Sequence, residues 1–163
     1  QYEFDDVFGG ALAVGSQGSY RIEYESDDFL DIAGVFLAEG DDFNGLINDG
    51  TSPFQPLPEL KTDVFTKYTR GIHTASLVGH YTTSYVDRAP ALPALAKIDN
   101  LFVLDAHYVV RLFEESTALS FSIQNLTDED PPFASTDLNY DPFTHDARGR
   151  MYKIGLTYTW QPK

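Results

Sequence analysis

The residues able to do chemistry are few, and they are scattered along the chain. There are four histidines, His73, His80, His107 and His145. His80 and His107 fall on the same, polar side of two neighbouring predicted strands, which makes them the candidates for a haem or metal role. No ligand spacing accompanies them, so a polar histidine meeting water or other protein is the simpler reading. Asp105, His107 and Arg111 share one strand face. A catalytic reading would need a positioned nucleophile, for which only Ser120 or Ser122 can be nominated. An ion-pairing cluster explains the same residues without one. The run Asp41-Asp42-Phe43-Asn44-Gly45 suggests calcium but lacks the alternating ligand spacing of an EF-hand loop. It reads as a solvated loop that attracts cations. The expectation is a protein with no catalytic residue, no metal site and no cofactor.

Composition narrows the class. The 163 residues carry 11 bases and 25 acids, a net charge of −14. That argues against nucleic acid as a partner, because phosphate contacts need a basic surface. Cysteine is absent, which is compatible with an oxidising compartment. Ten Tyr, twelve Phe, frequent Gly and Pro, and no long Ala/Leu/Glu/Lys runs make helix a poor choice. No apolar run approaches the roughly 20 residues of a membrane helix. A membrane barrel remains open, since its strands need only about 9–11 alternating residues.

The elements that must position these side chains show a period of two. In the last segment, 150–160, Tyr152, Ile154, Leu156, Tyr158 and Trp160 fall on one face, and Lys153, Gly155, Thr157 and Thr159 fall on the other. Aromatics at both ends of that apolar face suggest a bilayer, because amphipathic rings settle at the two headgroup levels. The same alternation recurs over 11–25, 60–68 (where Phe65 breaks it), 72–85, 100–113 and 118–126, with a stub at 2–4. Six repetitions of period 2 predict an all-β chain.

The connections alternate in length. Those at 5–9, 69–71 and 114–117 are short, and those at 26–59, 86–99 and 127–149 are long. An up-and-down meander places the short ones at one end and the long ones at the other, as in outer-membrane barrels. Acids follow the long connections. Asp27, Asp28, Asp31, Glu39, Asp41, Asp42 and Asp49 lie in the first. Asp128, Glu129, Asp130, Asp137, Asp141 and Asp146 lie in the last. Together they are 13 of the 25 acids. The apolar strand faces are almost free of charge.

Three stretches carry a family likeness. They are Gln124-Asn125-Leu126-Thr127-Asp128-Glu129-Asp130-Pro131-Pro132-Phe133, then Asn139-Tyr140-Asp141-Pro142, then Gly149-Arg150-Met151 running on to Tyr158. Together they resemble the C-terminal end of TonB-dependent outer-membrane receptors, which carry a similar asparagine-leucine-x-aspartate element, paired prolines and a Gly-Arg opening the final strand. Leu57-Pro58-Glu59 and Gly71-x-His73 add to the likeness. Lys153, Gly155, Tyr158 and Trp160 resemble the terminal signal read by the barrel-assembly machinery, with Trp in place of the usual Phe and Gln161-Pro162-Lys163 following.

The resemblance implies a transmembrane antiparallel β-barrel of 22 strands. Residues 1–163 would be its C-terminal portion, about six strands and a stub, without the plug domain. It implies TonB-dependent uptake of a scarce nutrient such as a siderophore, haem, a vitamin or an oligosaccharide. The implied partners are the remaining strands and plug, the TonB complex, the assembly machinery, outer-membrane lipid and lipopolysaccharide. Long loops would be extracellular and the C-terminus periplasmic, where the sequon Asn125-Leu126-Thr127 carries no meaning. Loop aromatics Phe29, Phe36, Phe43, Phe54, Phe133, Tyr140 and Phe143 are the ligand-contact candidates, with loop-to-loop packing as the other reading. Two alternatives stand beside this one. One is a complete eight-stranded barrel with a structural or adhesion role, whose missing strands would need a hairpin near 32–38. The other is a soluble β-sandwich binding module.

Overall fold

The period-2 segments become seven long strands in one sheet. A computed structural model describes residues 1–24, 29–30, 36–38, 44–47, 58–88, 91–113 and 116–160, with backbone alone for 29–30 and 36–38. In chain order the strands are β1 (Tyr2–Val7), β2 (Gly10–Tyr20), β3 (Phe29–Leu30), β4 (Phe36–Ala38), β5 (Leu46–Ile47), β6 (Leu60–Arg70), β7 (His73–Thr82), β8 (Tyr85–Asp87), β9 (Lys97–Ile98), β10 (Leu101–Leu112), β11 (Thr117–Gln124) and β12 (Met151–Tyr158). One turn of 3₁₀ helix, Pro93–Leu95, precedes β9. Among the described residues no helix is long and apolar enough to cross a membrane.

The large sheet has the order β1-β2-β6-β7-β10-β11-β12, with every neighbouring pair antiparallel. It is therefore a meander. Its short connections all lie at one end, and the three long ones lie at the other. The first short turn, Phe8-Gly9, has both residues at positive φ, the twist that suits a two-residue hairpin. β1 reaches Val7 by way of an irregularity between Phe4 and Val7, so the stub is longer and its turn shorter than the alternation predicts. The first full strand stops at Tyr20 rather than near residue 25. The segment expected over 72–85 divides into β7 and the separate β8.

Register fixes the faces, because directly paired residues share one. One row across the sheet runs Phe4, Leu12, Tyr68, Ala75, Tyr108, Phe121, Ile154. The next runs Tyr2, Val14, Thr66, Leu77, Ala106, Ile123, Tyr152. The opposite face holds rows such as Lys67, Ser76, His107, Ser122, Lys153. Phe65 sits on this polar face. Its ring covers Gly15, where a Cβ would lie 2.5 Å from Phe65 Cζ. Phe102 covers Gly79 in the same way on the apolar face, with a Cβ there 2.8 Å from the ring. The aromatic fills the space its glycine leaves, which is why Phe65 is tolerated off pattern.

Neither face of the sheet is a protein core. The buried hydrophobic residues among those described are Ile47, Tyr85, Ile98 and Ala134, all of them off the seven-stranded sheet. They belong to the long-connection end, where β5, β8 and β9 form a small sheet of their own, with β5 parallel to β8. The apolar face is open to its surroundings: Val64 is 58 %, Ile154 76 % and Leu156 72 % exposed. Among the described residues the sheet is also open at its sides, with β1 and β12 as edges.

The hairpin anticipated near 32–38 is seen in part. β3 and β4 pair with each other, and among the described residues neither pairs with the large sheet.

Candidate functional site

On the polar face three titratable side chains meet on the middle strands, in their long-connection half. Asp63 on β6 and His80 on β7 are direct partners, and Asp105 on β10 lies diagonally beyond. His80 Nδ1 is 2.7 Å from Asp63 Oδ1, and its Nε2 is 3.6 Å from Asp105 Oδ2. Gln17 Nε2 donates to Asp63 Oδ2 at 3.1 Å, and Asp105 Oδ1 accepts the Asn125 N–H at 2.9 Å. One imidazole is thus clamped between two carboxylates from the strands on either side. The carboxylates meet opposite edges of the ring, so they cannot share an ion with one ring nitrogen. Among the described residues no group of three His, Asp or Glu is placed to hold a metal.

The same geometry divides the residues nominated for catalysis. His107 Nδ1 lies 2.7 Å from Ser122 Oγ, its direct partner on β11. Asp105 is turned away from it, toward His80 and Asn125. The carboxylates belong to one histidine and the hydroxyl to the other, so no chain of carboxylate, imidazole and hydroxyl forms. Arg111 lies farther along β10, toward the short-connection end, where its Nη1 donates to Thr74 Oγ1 at 3.3 Å.

The third long connection folds back over this polar face. A recess of about 230 Å³ lies between His80, Thr82, Val103, Asp105 and Gln124 below and His145, Asp146 and Arg148 above. Gln124 Oε1 is buried there without a hydrogen-bond donor among the described residues. It is an acceptor suited to a ligand N–H or O–H.

Local chemistry holds this roof in place. Asn125 adopts positive φ, and its side-chain amide bonds both the carbonyl and the N–H of Glu129, at 2.8 and 2.9 Å. Asp128 Oδ1 accepts the Arg150 N–H at 2.8 Å, which ties the start of the connection to the opening of β12. The asparagine, the aspartate and the Gly149-Arg150 pair are thus one structural staple.

A second tie is buried. Tyr85 Oη donates to Asp141 Oδ2 at 2.7 Å and lies 3.2 Å from His145 Nε2. Asp141 Oδ1 accepts the Phe143 N–H, and Asp87 Oδ2 accepts the Ser135 N–H. Burial, and then the Asp141 carboxylate, push the Tyr85 hydroxyl far above the ordinary phenol range. Burial pushes His145 below the usual imidazole value, against the opposing pull of Asp141. At the rim, hydrogen bonds from Arg148 hold Asp146 below the ordinary carboxylate range, and Asp146 raises Arg148 in turn.

The aromatics singled out for ligand contact divide. Phe133 and Tyr140 form a backbone bridge to each other within the third connection, and the Phe133 ring is exposed. Phe143 is 66 % exposed at its surface. Phe29 and Phe36 lie in β3 and β4, described by backbone alone, while Phe43, Phe54 and the acids Asp41 and Asp42 lie outside the described residues. Of the terminal signal, Lys153 and Gly155 lie on the polar face and Tyr158 on the apolar one, and exposed Trp160 follows β12. The cluster of Tyr85, Asp141 and His145 has no forewarning in sequence, because it joins residues 56 and 60 positions apart.

The apolar face carries the remaining information. Two of its tyrosines turn their hydroxyls toward polar groups at the short-connection end. Tyr68 Oη donates to the Val7 carbonyl at 3.0 Å, and Tyr108 Oη lies 2.6 Å from His73 Nδ1. Tyr20, Tyr81 and Phe102 stand toward the other end. Comparison with protein-family models, curated proteins and solved structures finds no match. The functional reading therefore rests on the chain's own chemistry.

Proposed function

We propose that this chain is wall and loops of an outer-membrane β-barrel, the C-terminal portion of a TonB-dependent transporter for a scarce nutrient. The observation that carries the reading is the two-faced meander. A continuous apolar face lies uncovered on one side of seven antiparallel strands, and the charged side chains collect on the other. In water, a face of this size marks an interaction surface. In a bilayer it is the lipid-facing wall. β10 spans 12 residues, about 40 Å along the strand and, at the ~45° tilt usual in barrels, near 28 Å across the hydrocarbon.

The open edges support closure by further strands. Unpaired N–H and C=O groups in hydrocarbon cost several kcal/mol each, so a spanning sheet must pair both β1 and β12. On this reading the 22-strand closure and the plug lie in additional chain, and the assembly machinery recognises β12. The polar face then lines the lumen, where His80 with its two carboxylates meets plug or water. The roofed recess lies at the extracellular mouth. Transport is driven through the TonB complex, and no bond-making step belongs to these residues.

The test is fractionation and folding. The protein carrying this chain should partition with outer membranes, resist extraction by carbonate and show heat-modifiable migration on gels. Its deletion should abolish growth on one limiting nutrient in a TonB-dependent manner. Recovery as a folded monomer in buffer without detergent would overturn the membrane assignment. Membrane residence with TonB-independent function would overturn the transporter assignment alone.

A further inference from the structure

Charge enters the apolar face in only one row of the regular ladders. Arg70 on β6 and His73 on β7 are direct partners flanking the Gly71-Ile72 turn, and their register places both on that face at its short-connection end. Among the described residues no carboxylate pairs with Arg70. The guanidinium rests beside the first short turn, with Nε 3.8 Å from where a Cβ on Gly9 would stand. His73 is held by Tyr108, through the 2.6 Å bond to Nδ1 and by stacking at 6.0 Å between ring centroids. Its Nε2 faces away from that bond.

Directly inward from this pair the face is hollowed. In the adjacent row Ala75 lies between Tyr68 and Tyr108, and in the row after that Ala106 lies beside Leu77. The two alanines floor an open apolar trough of about 420 Å³, walled by Tyr68, Tyr108, Leu77 and Phe121. Successive rows are about 7 Å apart, two residues of strand rise. The basic pair and the mouth of the trough are therefore one row apart.

We propose that this is a phospholipid site, with one acyl chain in the Ala75–Ala106 trough and the phosphate on Arg70 and His73. Charge complementarity selects the occupant. A guanidinium and an imidazole at the water-facing end of a greasy groove match an anionic headgroup joined to an acyl chain. The tyrosine hydroxyls, already engaged by Val7 and His73, mark the boundary between the two. The proposal rests on the membrane reading above and adds to it a specific lipid of the short-connection leaflet.

The experiment is native mass spectrometry of the full-length protein, extracted from membranes in a mild non-ionic detergent. Dioleoyl phosphatidylglycerol, dioleoylglycerol and inorganic phosphate are titrated in separate samples. One phosphatidylglycerol should be retained per protein, with little retention of the phosphate-free lipid or of phosphate alone. Arg70→Gln with His73→Gln should weaken retention about tenfold or more, the usual weight of lost charge-assisted bonds. Ala75→Phe, which fills the trough, should do the same by a separate route. If Ala75→Phe disrupts folding, the surface pair Arg70/His73 still decides the matter. Unchanged retention in the Arg70/His73 variant, equal binding of dioleoylglycerol, binding of phosphate alone or a preference for lipopolysaccharide would each overturn the site. A chain found only in the soluble fraction would sink the membrane reading as well, whereas a membrane-inserted chain indifferent to these variants would sink the lipid site alone.

Discussion

Placing arginine at two depths of the same face separates a lipid-facing wall from an exposed surface in water. Leu77 lies mid-strand in β7, between Thr66 and Ala106, in the middle of the seven-stranded sheet. Four residues separate it from His73, about 14 Å along the strand and near 10 Å in depth at a 45° tilt. Leu112 is on the same face but ends β10, paired with Thr117 at the short-connection end. Arginine near the midplane of a barrel costs roughly 2–4 kcal/mol, and near the interface about 0–1. Leu77→Arg should therefore lower the folding equilibrium roughly 30- to 900-fold, toward the smaller figure where the side chain snorkels. Leu112→Arg should lower it no more than about fivefold. The assay is reversible denaturant unfolding of the full chain in phospholipid vesicles, read by loss of heat-modifiable gel mobility. In water, exposed substitutions of this kind stay within about 0.5 kcal/mol wherever they fall. If the two variants agree within that margin, the apolar face does not touch lipid and the argument fails.

Four further outcomes are expected. Gly15→Ala should cost about 1–3 kcal/mol by driving a Cβ into the Phe65 ring, and Phe65→Ala in the same chain should recover most of it, a coupling that a double-mutant cycle in denaturant will read. Tyr85→Phe should leave Asp141 short of its donor and loosen the long-connection end by about 1–3 kcal/mol, seen as faster amide exchange there with the seven-stranded sheet unchanged. Asn125→Ala removes both bonds to Glu129 and the residue suited to positive φ, so the heat-modification midpoint should fall by the equivalent of about 1–3 kcal/mol. The pH dependence of the same region has two arms. His145 is lowered when folded, so the stability of its surroundings is intact above the ordinary imidazole value near 6.5 and falls as pH drops below it. Tyr85 is raised when folded, so stability falls once pH climbs past the ordinary phenol value near 10. Exchange protection at the long-connection end should therefore be flat between those limits and decline on both sides.

The sheet was legible in sequence because its two faces meet different surroundings. A slip of one residue would carry Lys67, His107 and Lys153 to the apolar side, so alternation fixes register, and register fixes which strands are neighbours. Even the exception obeys this logic. Phe65 is off pattern as a residue type, yet it pairs with Gly15, and a glycine on the facing strand is the only hint available. Strands of two or three residues have no period to read. β5, β8 and β9 come together around buried Ile47, Tyr85 and Ile98, and β5 joins from a stretch that no local window shares with the other two. The extra length assigned to the segment over 72–85 has the same origin, since Tyr85 continues the alternation in type while the backbone leaves the large sheet after Thr82.

The site divides along the same line. Residues carried by long strands were placed correctly on faces: His80, His107, Asp105 and Arg111 all lie on the polar one. Their partners depended on which residues register sets side by side, and that separated the two carboxylates from the hydroxyl. Residues in the long connections were visible as acids, as aromatics and as motif positions, without their partners. The roles of two acids emerged from pairing across the chain, with Asp141 on Tyr85 and Asp128 on Arg150. The acidity of the third connection is therefore partly structural, because three of its carboxylates, Asp128, Asp141 and Asp146, accept hydrogen bonds from named donors at its start, middle and end. The third connection, which the sequence marks by its acids, is a tied roof over the polar face. A transporter built on this wall would admit its ligand past that roof, and variants of Asn125 or Tyr85 should change access to the recess before they change the sheet.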